Sequence, residues 1–479
     1  MKINTNVVSL NTQRKLTDTS NKIQTPMERL SSGKRINSAK DDAAGLAIAA
    51  RMVSQTRGTD VAIRNTYDGI SLAQTAEGAL QEVGSMLQRV RELAVQSANA
   101  TNSSSDRKAL QDEASQLTSE IQRIASTTNF NGQQLLDGTF DSAQFQVGAN
   151  AGDTISATTA NFQTTDFGGY ELQGEASSVA ATDRIVAAGS ITVSGKDGSD
   201  TINYSAGDSA KQIADSINQA APQTGVEASA QTQVDLEFSA PGSYQLNVSA
   251  DNGAATTVSF NLQNNADTDS LNDAAAAFNE HSATTGVIAE VNDTGTGITL
   301  THNKGETITV SDTTAANGGD VTVKTASSSS TLVADTTADT AVVTGQVTLQ
   351  SEETFATTGT AGDVTNAAVE GSALEAVADV SVADVEKSNS ALATIDAAIA
   401  RVANQRAEFG ALQNRFESTI RHSENYSENI SAARSRIQDT DYAKETSELT
   451  RLSILQNAGI AMLGQANIKP ELALRLLGG

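Results

Sequence analysis

Apolar residues recur at alternating steps of three and four near both ends of this chain, from residue 41 to about 99 and again from about 385 to 477. More than two hundred residues of a different character lie between them. A helix with one apolar stripe must lay it against a partner, and the nearest stripe of matching period stands at the other end of the chain. The ends are therefore read as two parts of one long antiparallel helical core of coiled-coil type, neither being a finished domain alone. The fold class that follows is α+β and multidomain, with β-rich outer modules inserted into that core. Such an organisation favours an assembly subunit over an enzyme.

On the N-terminal side the register is clearest at Leu80, Val83, Leu87, Val90 and Ala94, and no Pro interrupts the chain between Met27 and Ala221. A turn cluster at 99–105 precedes a shorter helix marked by Leu110, Leu117, Ile121 and Ile124. On the C-terminal side Leu392, Ile395, Ile399, Val402, Phe409, Phe416 and Ile420 keep a heptad-like spacing. A break is expected at Asp439, Thr440 and Asp441, before a last helix carrying Leu449, Leu452, Leu455, Ile460 and Leu463. Pro470 is expected to end or kink it. The first 35 residues hold a looser stripe of Ile3, Val7, Leu10, Leu16, Ile23, Met27 and Leu30, interrupted near Pro26. That is little apolar area to set against the entropy of ordering the segment, so it is expected to fold only when neighbours cover it.

Large side chains cannot carry the packing, because aromatic residues are 4% of the chain and Trp is absent. Cys is absent too, which excludes disulfides, thiolate nucleophiles and Cys-based metal sites. Residues 140–385 hold 32 acidic and 5 basic side chains, whereas the two ends together hold 25 acidic and 27 basic. Near-neutral ends can pack closely against copies of themselves, and an acidic middle repels its neighbours and stays in water. A phosphate-binding surface would need the opposite sign, so nucleic acid is not expected as a partner. No membrane span and no cleaved secretory signal are expected either.

The middle, 142–384, is rich in Gly, Ser, Thr, Asp and Ala, with short alternating runs at 191–193, 234–238, 244–248, 257–260 and 298–300 that read as half-buried strands. It also contains a repeat. Asp208, Ser209, Asn218, Thr224, Gly225, Val226 and Ala228 recur 61 residues later as Asp269, Ser270, Asn279, Thr285, Gly286, Val287 and Ala289. Ser209 with Gln212, and Ser270 with Asp273, are each expected to open a short amphipathic helix as a capping box. Two α+β modules, about 190–250 and 251–312, follow from this. The tract 313–383 is compatible with further strands or with a flexible region. Catalytic and metal motifs are absent: His281, His302 and His422 stand apart in sequence, no carboxylate loop has calcium spacing, and no phosphate loop occurs. No cofactor is expected.

Several stretches closely resemble bacterial flagellin. They are Asn6-x-x-Ser-Leu-Asn-Thr-Gln, the run from Glu28 to Leu46 containing Ser-Ser-Gly-Lys-Arg-Ile-Asn-Ser-Ala-Lys-Asp-Asp, the run from Asn65 to Leu80, and Leu87-Gln-Arg-Val-Arg-Glu-Leu-Ala-Val-Gln-Ser-Ala-Asn. At the other end they are Ala407-Glu-Phe-Gly-Ala-Leu-Gln-Asn-Arg-Phe, the run from Asn429 to Ala443, and Ile454-Leu-Gln-Asn-Ala-Gly-x-Ala-Met-Leu-Gly-Gln-Ala-Asn. The resemblance implies a filament subunit of the bacterial flagellum, made extracellular by export without a cleaved signal peptide. It implies an inner terminal-helix core of 1–40 with 440–479, an outer helical core of 41–141 with 385–439 and a β-hairpin, and a surface-exposed outer region at 142–384. The partners it implies are further copies of the chain, an export chaperone, the filament cap and hook-filament junction proteins. Assembly-core residues are expected at Leu10, Leu16, Ile23, Leu30, Leu80, Val83, Leu87, Val90, Leu392, Ile395, Ile399, Val402, Phe409, Phe416, Leu452, Leu455 and Leu463. Gln88, Arg89, Leu93 and Glu113 sit where flagellins touch a host Toll-like receptor. The alternatives are a hook-filament junction protein, and a filament subunit whose outer region acts as an adhesin.

Overall fold

The computed structural model describes residues 5–99, 101–140, 142–180, 188–250, 253–264, 267–292, 294–315, 317–335, 337–359 and 369–477, the side chains of Glu386 and 469–477 excepted. Ile3 lies outside the described residues. The helices are α1 (Val7–Ser32), α2 (Ala43–Ser97), α3 (Ser104–Thr127), α4 (Ala210–Thr224), α5 (Thr268–Asn279), α6 (Ser282–Thr285), α7 (Val385–Gln438) and α8 (Tyr442–Leu477). Along α2 the buried positions include Thr59, Ala62, Thr66, Gly69, Ala73, Ala76, Leu80, Val83, Leu87, Val90, Ala94 and Ser97, an unbroken alternation of three and four. That period is the coiled-coil seam expected from the sequence. Neither proline ends its helix. Helix α1 runs through Pro26, whose buried ring offsets the lost N–H bond with packing, and α8 continues past Pro470 to Leu477.

The chain packs as two compact units, one of Met1–Gln74, Ser142–Thr158 and Glu408–Gly479, the other of Thr75–Asp141 and Thr159–Ala407. Their borders fall inside α2, between Asp141 and Ser142, between Thr158 and Thr159, and inside α7. The first unit holds α1, α8, the early part of α2, the late part of α7 and the hairpin of β3 (Ser142–Gln146) with β4 (Thr154–Thr158), which follows β1 (Asn129–Phe130) and β2 (Gln133–Gln134) in the chain. This hairpin belongs with the helices and not with the outer region. Phe145 meets the buried Phe416 edge-on at 5.6 Å between ring centroids, and Asn65 Nδ2 donates to the Gln146 carbonyl at 3.1 Å. Gly69 makes room for that ring, since a Cβ there would stand 2.8 Å from Phe416 Cζ.

In the second unit α3 opens on a capping box in which Ser103 and Asp106 satisfy one another's backbone N–H groups. Asn131 (φ 53°) and Gly132 (φ 82°) make the left-handed turn joining β1 to β2. The remaining strands are β5 (Gly168–Gln173), β6 (Val179–Ala180), β7 (Gly189–Gly195), β8 (Gly198–Tyr204), β9 (Glu227–Phe238), β10 (Gly242–Ser249), β11 (Thr256–Leu262), β12 (Ile288–Val291), β13 (Gly297–His302) and β14 (Ile308–Asp312). They continue with β15 (Val321–Lys324), β16 (Ser329–Leu332), β17 (Thr340–Val343), β18 (Gln346–Ser351), β19 (Ala356–Gly359), β20 (Val369–Gly371) and β21 (Ala373–Ala376). Among its described residues, the tract left open by composition carries the seven strands β15 to β21. Three antiparallel sheets result, ordered β12-β13-β9-β18-β5-β21 with β15 and β16 branching from β9, β11-β10-β14-β17-β6, and β20-β19-β7-β8.

Two apolar cores fill these sheets. One gathers Ile191, Val193, Ile213, Ile217, Val226 and Leu349, the other Leu236, Phe238, Leu246, Leu271, Phe278 and Val310. Strand β9 gives Ala228 to the first and Val234, Leu236 and Phe238 to the second, so the two modules share a strand instead of merely lying side by side. Strand β10, within the range of the first module, packs Tyr244, Leu246 and Val248 into the second core.

The repeat has a physical content. Asn218 donates to the Ala228 carbonyl at 2.8 Å and accepts from its N–H at 2.7 Å, and Asn279 does the same to Ala289 at 2.8 and 2.8 Å. Each amide thus ties a helix to the strand that follows it. Gly225 (φ 72°) and Gly286 (φ 73°) end α4 and α6 in the left-handed region that precedes those strands. The caps differ. Ser209 and Gln212 form the expected box, but α5 begins at Thr268, which places Ser270 inside the first turn, buried and without that role. Replacing Asn218 or Asn279 by Ala strands a sheltered N–H and C=O, and is expected to lower outer-module stability by about 1–3 kcal/mol in denaturant unfolding. An unchanged midpoint would contradict the clamp.

Candidate assembly surface

Helices α1 and α8 lie antiparallel in one register. Asn6 Nδ2 donates to the Ala466 carbonyl at 2.8 Å, Ser9 Oγ to Asn467 Oδ1 at 2.8 Å and Gln456 Nε2 to Ser20 Oγ at 3.1 Å, while Arg29 and Glu445 form an ion pair at 3.3 Å. Partner numbers fall along α8 as they rise along α1. The sheltered positions include Thr12, Leu16, Thr19, Ile23, Pro26 and Leu30 on one helix and Glu445, Leu449, Leu452, Gln456, Gly459, Leu463 and Ala466 on the other, two runs at steps of three and four. The seam is poor in apolar mass: Thr12, Thr19, Glu445, Gln456, Gly459 and Ala466 are polar or small. Much of the apolar mass of the pair points away from it instead. Leu10 is 56% exposed, Ile454 62% and Met462 62%, with Val7, Val8, Met27, Leu455, Ile460 and Ile468 also exposed.

The expected assembly residues divide accordingly. Leu80, Val83, Leu87, Val90, Ile395, Val402, Phe409, Phe416 and Leu452 are buried within the chain, while Leu16, Ile23, Leu30, Leu392, Ile399 and Leu463 are half-buried. Leu10 and Leu455 are exposed and do not face the partner helix, because the seam passes through 452, 456, 459 and 463 and Leu455 lies about 100° around the helix from Gln456. On α7 the deep positions near the start are Ser388, Ala391 and Ala398 beside Ile395, and their small size hides the first three from a hydrophobic pattern.

Sequence reading missed the connection between helices. Arg35 N–H donates to the Gln438 carbonyl at 2.6 Å, Thr440 N–H to the Gly33 carbonyl at 3.0 Å, and the Arg35 guanidinium to the Ile437 carbonyl at 2.5 Å. Residues 33–35 and 438–440 are thereby paired like two short strands. Gly33 is required there twice over: its φ is 69°, and a Cβ would stand 2.9 Å from Tyr442 Oη. Behind the turn, Asp41 accepts from the N–H groups of Ser38 and Asn37, which holds its carboxyl below the usual range. The motif Ser-Ser-Gly-Lys-Arg-Ile-Asn-Ser was the available signal, with its lone Gly at the helix end.

In the second unit Gln88, Arg89 and Glu113 are exposed together, and Arg89 reaches both Glu92 and Glu113 at 2.8 Å. Hydrogen bonds to Glu92 and Glu113 push the Arg89 guanidinium further above its usual pKa. Leu93 is 1% exposed, so its side chain is not part of that surface: it occupies the buried stripe of α2 beside Ala94. His302 is buried and its Nδ1 accepts from the N–H groups of Lys304 and Glu306, a turn-holding role. Among the described residues no helix is long and apolar enough to cross a membrane.

Family models agree with this architecture. The N-terminal helical region of bacterial flagellin matches residues 3–141, its C-terminal helical region residues 392–477, and the flagellin hook IN motif residues 190–252. The B-type flagellin of Pseudomonas aeruginosa is 41% identical to this chain and the flagellin D of Vibrio cholerae 36% identical, each alignment covering 99% of both chains. Among solved structures, FliC from Burkholderia pseudomallei is 20% identical, covers 72% of this chain and 99% of its own, and superposes with a TM-score of 0.31. Matched from end to end by such relatives, and with family models on both helical regions, this chain belongs to the bacterial flagellin family.

Proposed function

We propose that this chain is a structural subunit of the bacterial flagellar filament which completes its own folding by polymerising, and that it performs no catalysis. The observation that carries the reading is the mismatch in the terminal pair, whose seam is lean while Leu10, Ile454, Leu455, Ile460 and Met462 face outward. An exposed apolar surface of that kind is stable only when covered, and copies of the same chain offer the matching surface. The near-neutral ends then stack, and the acidic middle remains in water. Export without a cleaved signal peptide, by a route that delivers the chain unfolded with a chaperone on its C-terminal segment, fits ends that fold last. The filament cap and the hook-filament junction proteins are its proposed partners at the two ends of the filament. Gln88, Arg89 and Glu113 are proposed as the exposed part of a Toll-like receptor contact. Full-length chain added to sheared filament seeds is expected to lengthen them under the electron microscope, with matching loss of monomer. Seeds that keep their length in excess monomer would refute the assignment.

A further inference from the structure

We infer that the terminal helices order from their base outward, with Arg29 and Glu445 as the positioning pair that sets the register for everything beyond; this deepens the assembly reading and rests on it. Burial is graded along the pair. Full burial falls mostly near the base, at Pro26, Ile36, Glu445 and Leu452, and toward the far end at Ala466, with Thr12, Leu16, Gly459 and Leu463 half-buried; large apolar side chains are exposed along the whole length, Met27 and Ile454 as well as Val7, Leu10, Ile460 and Met462. The far part of the seam has little to hold it closed.

Apolar contact does not choose the observed register. Leu16 lies against Gly459, whose added Cβ would be 3.3 Å from Leu16 Cδ1, although a slide of one heptad would set the same leucine against Leu452. The polar pair does choose it. Arg29 and Glu445 are sheltered, their side chains 29% and 12% exposed, and the Arg29 Nε is buried without a protein acceptor. Sliding α1 would separate both charges in a place where water reaches them poorly. A buried polar group that fixes register at some cost in stability is a recurrent device of coiled coils.

Chain connectivity favours the same starting point. Arg29 and Glu445 lie about 14 and 7 residues from α2 and α7, whereas Asn6 and Ala466 lie about 37 and 28 away, and closing the shorter loops loses less entropy. The paired segments 33–35 and 438–440 stand immediately beside the ion pair. Once the base is closed, each further turn adds contacts without a new closure, and neighbouring copies cover the apolar faces as it advances.

Hydrogen exchange on dilute full-length chain, paired with seeded elongation, tests this. Amides of 28–35 and 439–452 are expected to exchange at least about tenfold more slowly than those of 8–16 and 459–466. Arg29→Glu or Glu445→Arg alone should erase the base protection and slow elongation about tenfold, and the two together should recover most of both, as should Arg29→Lys in place of the reversal. Leu16→Ala, at the far end, should leave elongation within about threefold and instead speed the loss of subunits from filament ends. Base amides no better protected than far-end ones, or a double reversal no better than the singles, would overturn the inference. Seeds that still take up wild-type chain in the absence of the gradient would sink it alone, whereas wild-type chain that extends no seed would sink the assembly reading whatever the gradient.

Discussion

A chain lacking residues 1–35 stays folded and soluble but no longer lengthens filament seeds. Deletion removes α1 whole and with it the ion pair to Glu445, the contacts to Gln456, Gly459 and Ala466, and the exposed Val7, Val8 and Leu10. Neither outer core contains any of these residues, so β-sheet signal and cooperative unfolding of the outer modules should persist. If the missing contacts are worth even about 3 kcal/mol per subunit, the concentration needed for growth rises by more than about 100-fold. Elongation by the truncated chain at a rate near that of the intact one would place the assembly contacts elsewhere.

Phe416→Ala is expected to be the most damaging single substitution in the first unit. The ring is fully buried, stands edge-on to Phe145, and fills the space that Gly69 leaves open on α2. Deleting it leaves a cavity that the helices cannot close without moving, at a cost of about 3–5 kcal/mol. Thermal unfolding should show the helical transition shifted strongly downward while the transition of the outer modules, whose two apolar cores do not include the ring, holds its place. A shift of less than about 1 kcal/mol in the helical transition would mean that the hairpin β3–β4 is not anchored through this aromatic pair.

How much of this was legible in the sequence depended on side-chain size. Leu80, Val83, Leu87 and Val90 announce the seam of α2, but its first half runs through Thr59, Ala62, Thr66, Gly69, Ala73 and Ala76, which carry no hydrophobic signal and yet keep the period. The same blindness moved the α8 stripe onto Leu455 and Ile460, since the true seam passes through Gln456 and Gly459. Pattern reading follows large apolar residues, and here Leu455 and Ile460 face away from the seam. The repeat of Asn, Thr, Gly and Val at 61 residues was visible as letters, and geometry supplied its cause in the amide clamps on Ala228 and Ala289. Sharing of β9 by two cores could not be read locally, because pairing partners such as β18 lie about 120 residues away. Resemblance sets Leu93 on a contact surface, whereas in the fold it lies one residue off the seam, beside Ala94, and is buried.

The most direct test follows amide exchange at residues 8–23 and 454–466 in dilute monomer and again in the grown filament. Exchange close to that of an unstructured peptide in the monomer, slowed at least about 1,000-fold in the filament, is the predicted result. Equal and strong protection in both states would show that the ends are self-sufficient, and would contradict the account.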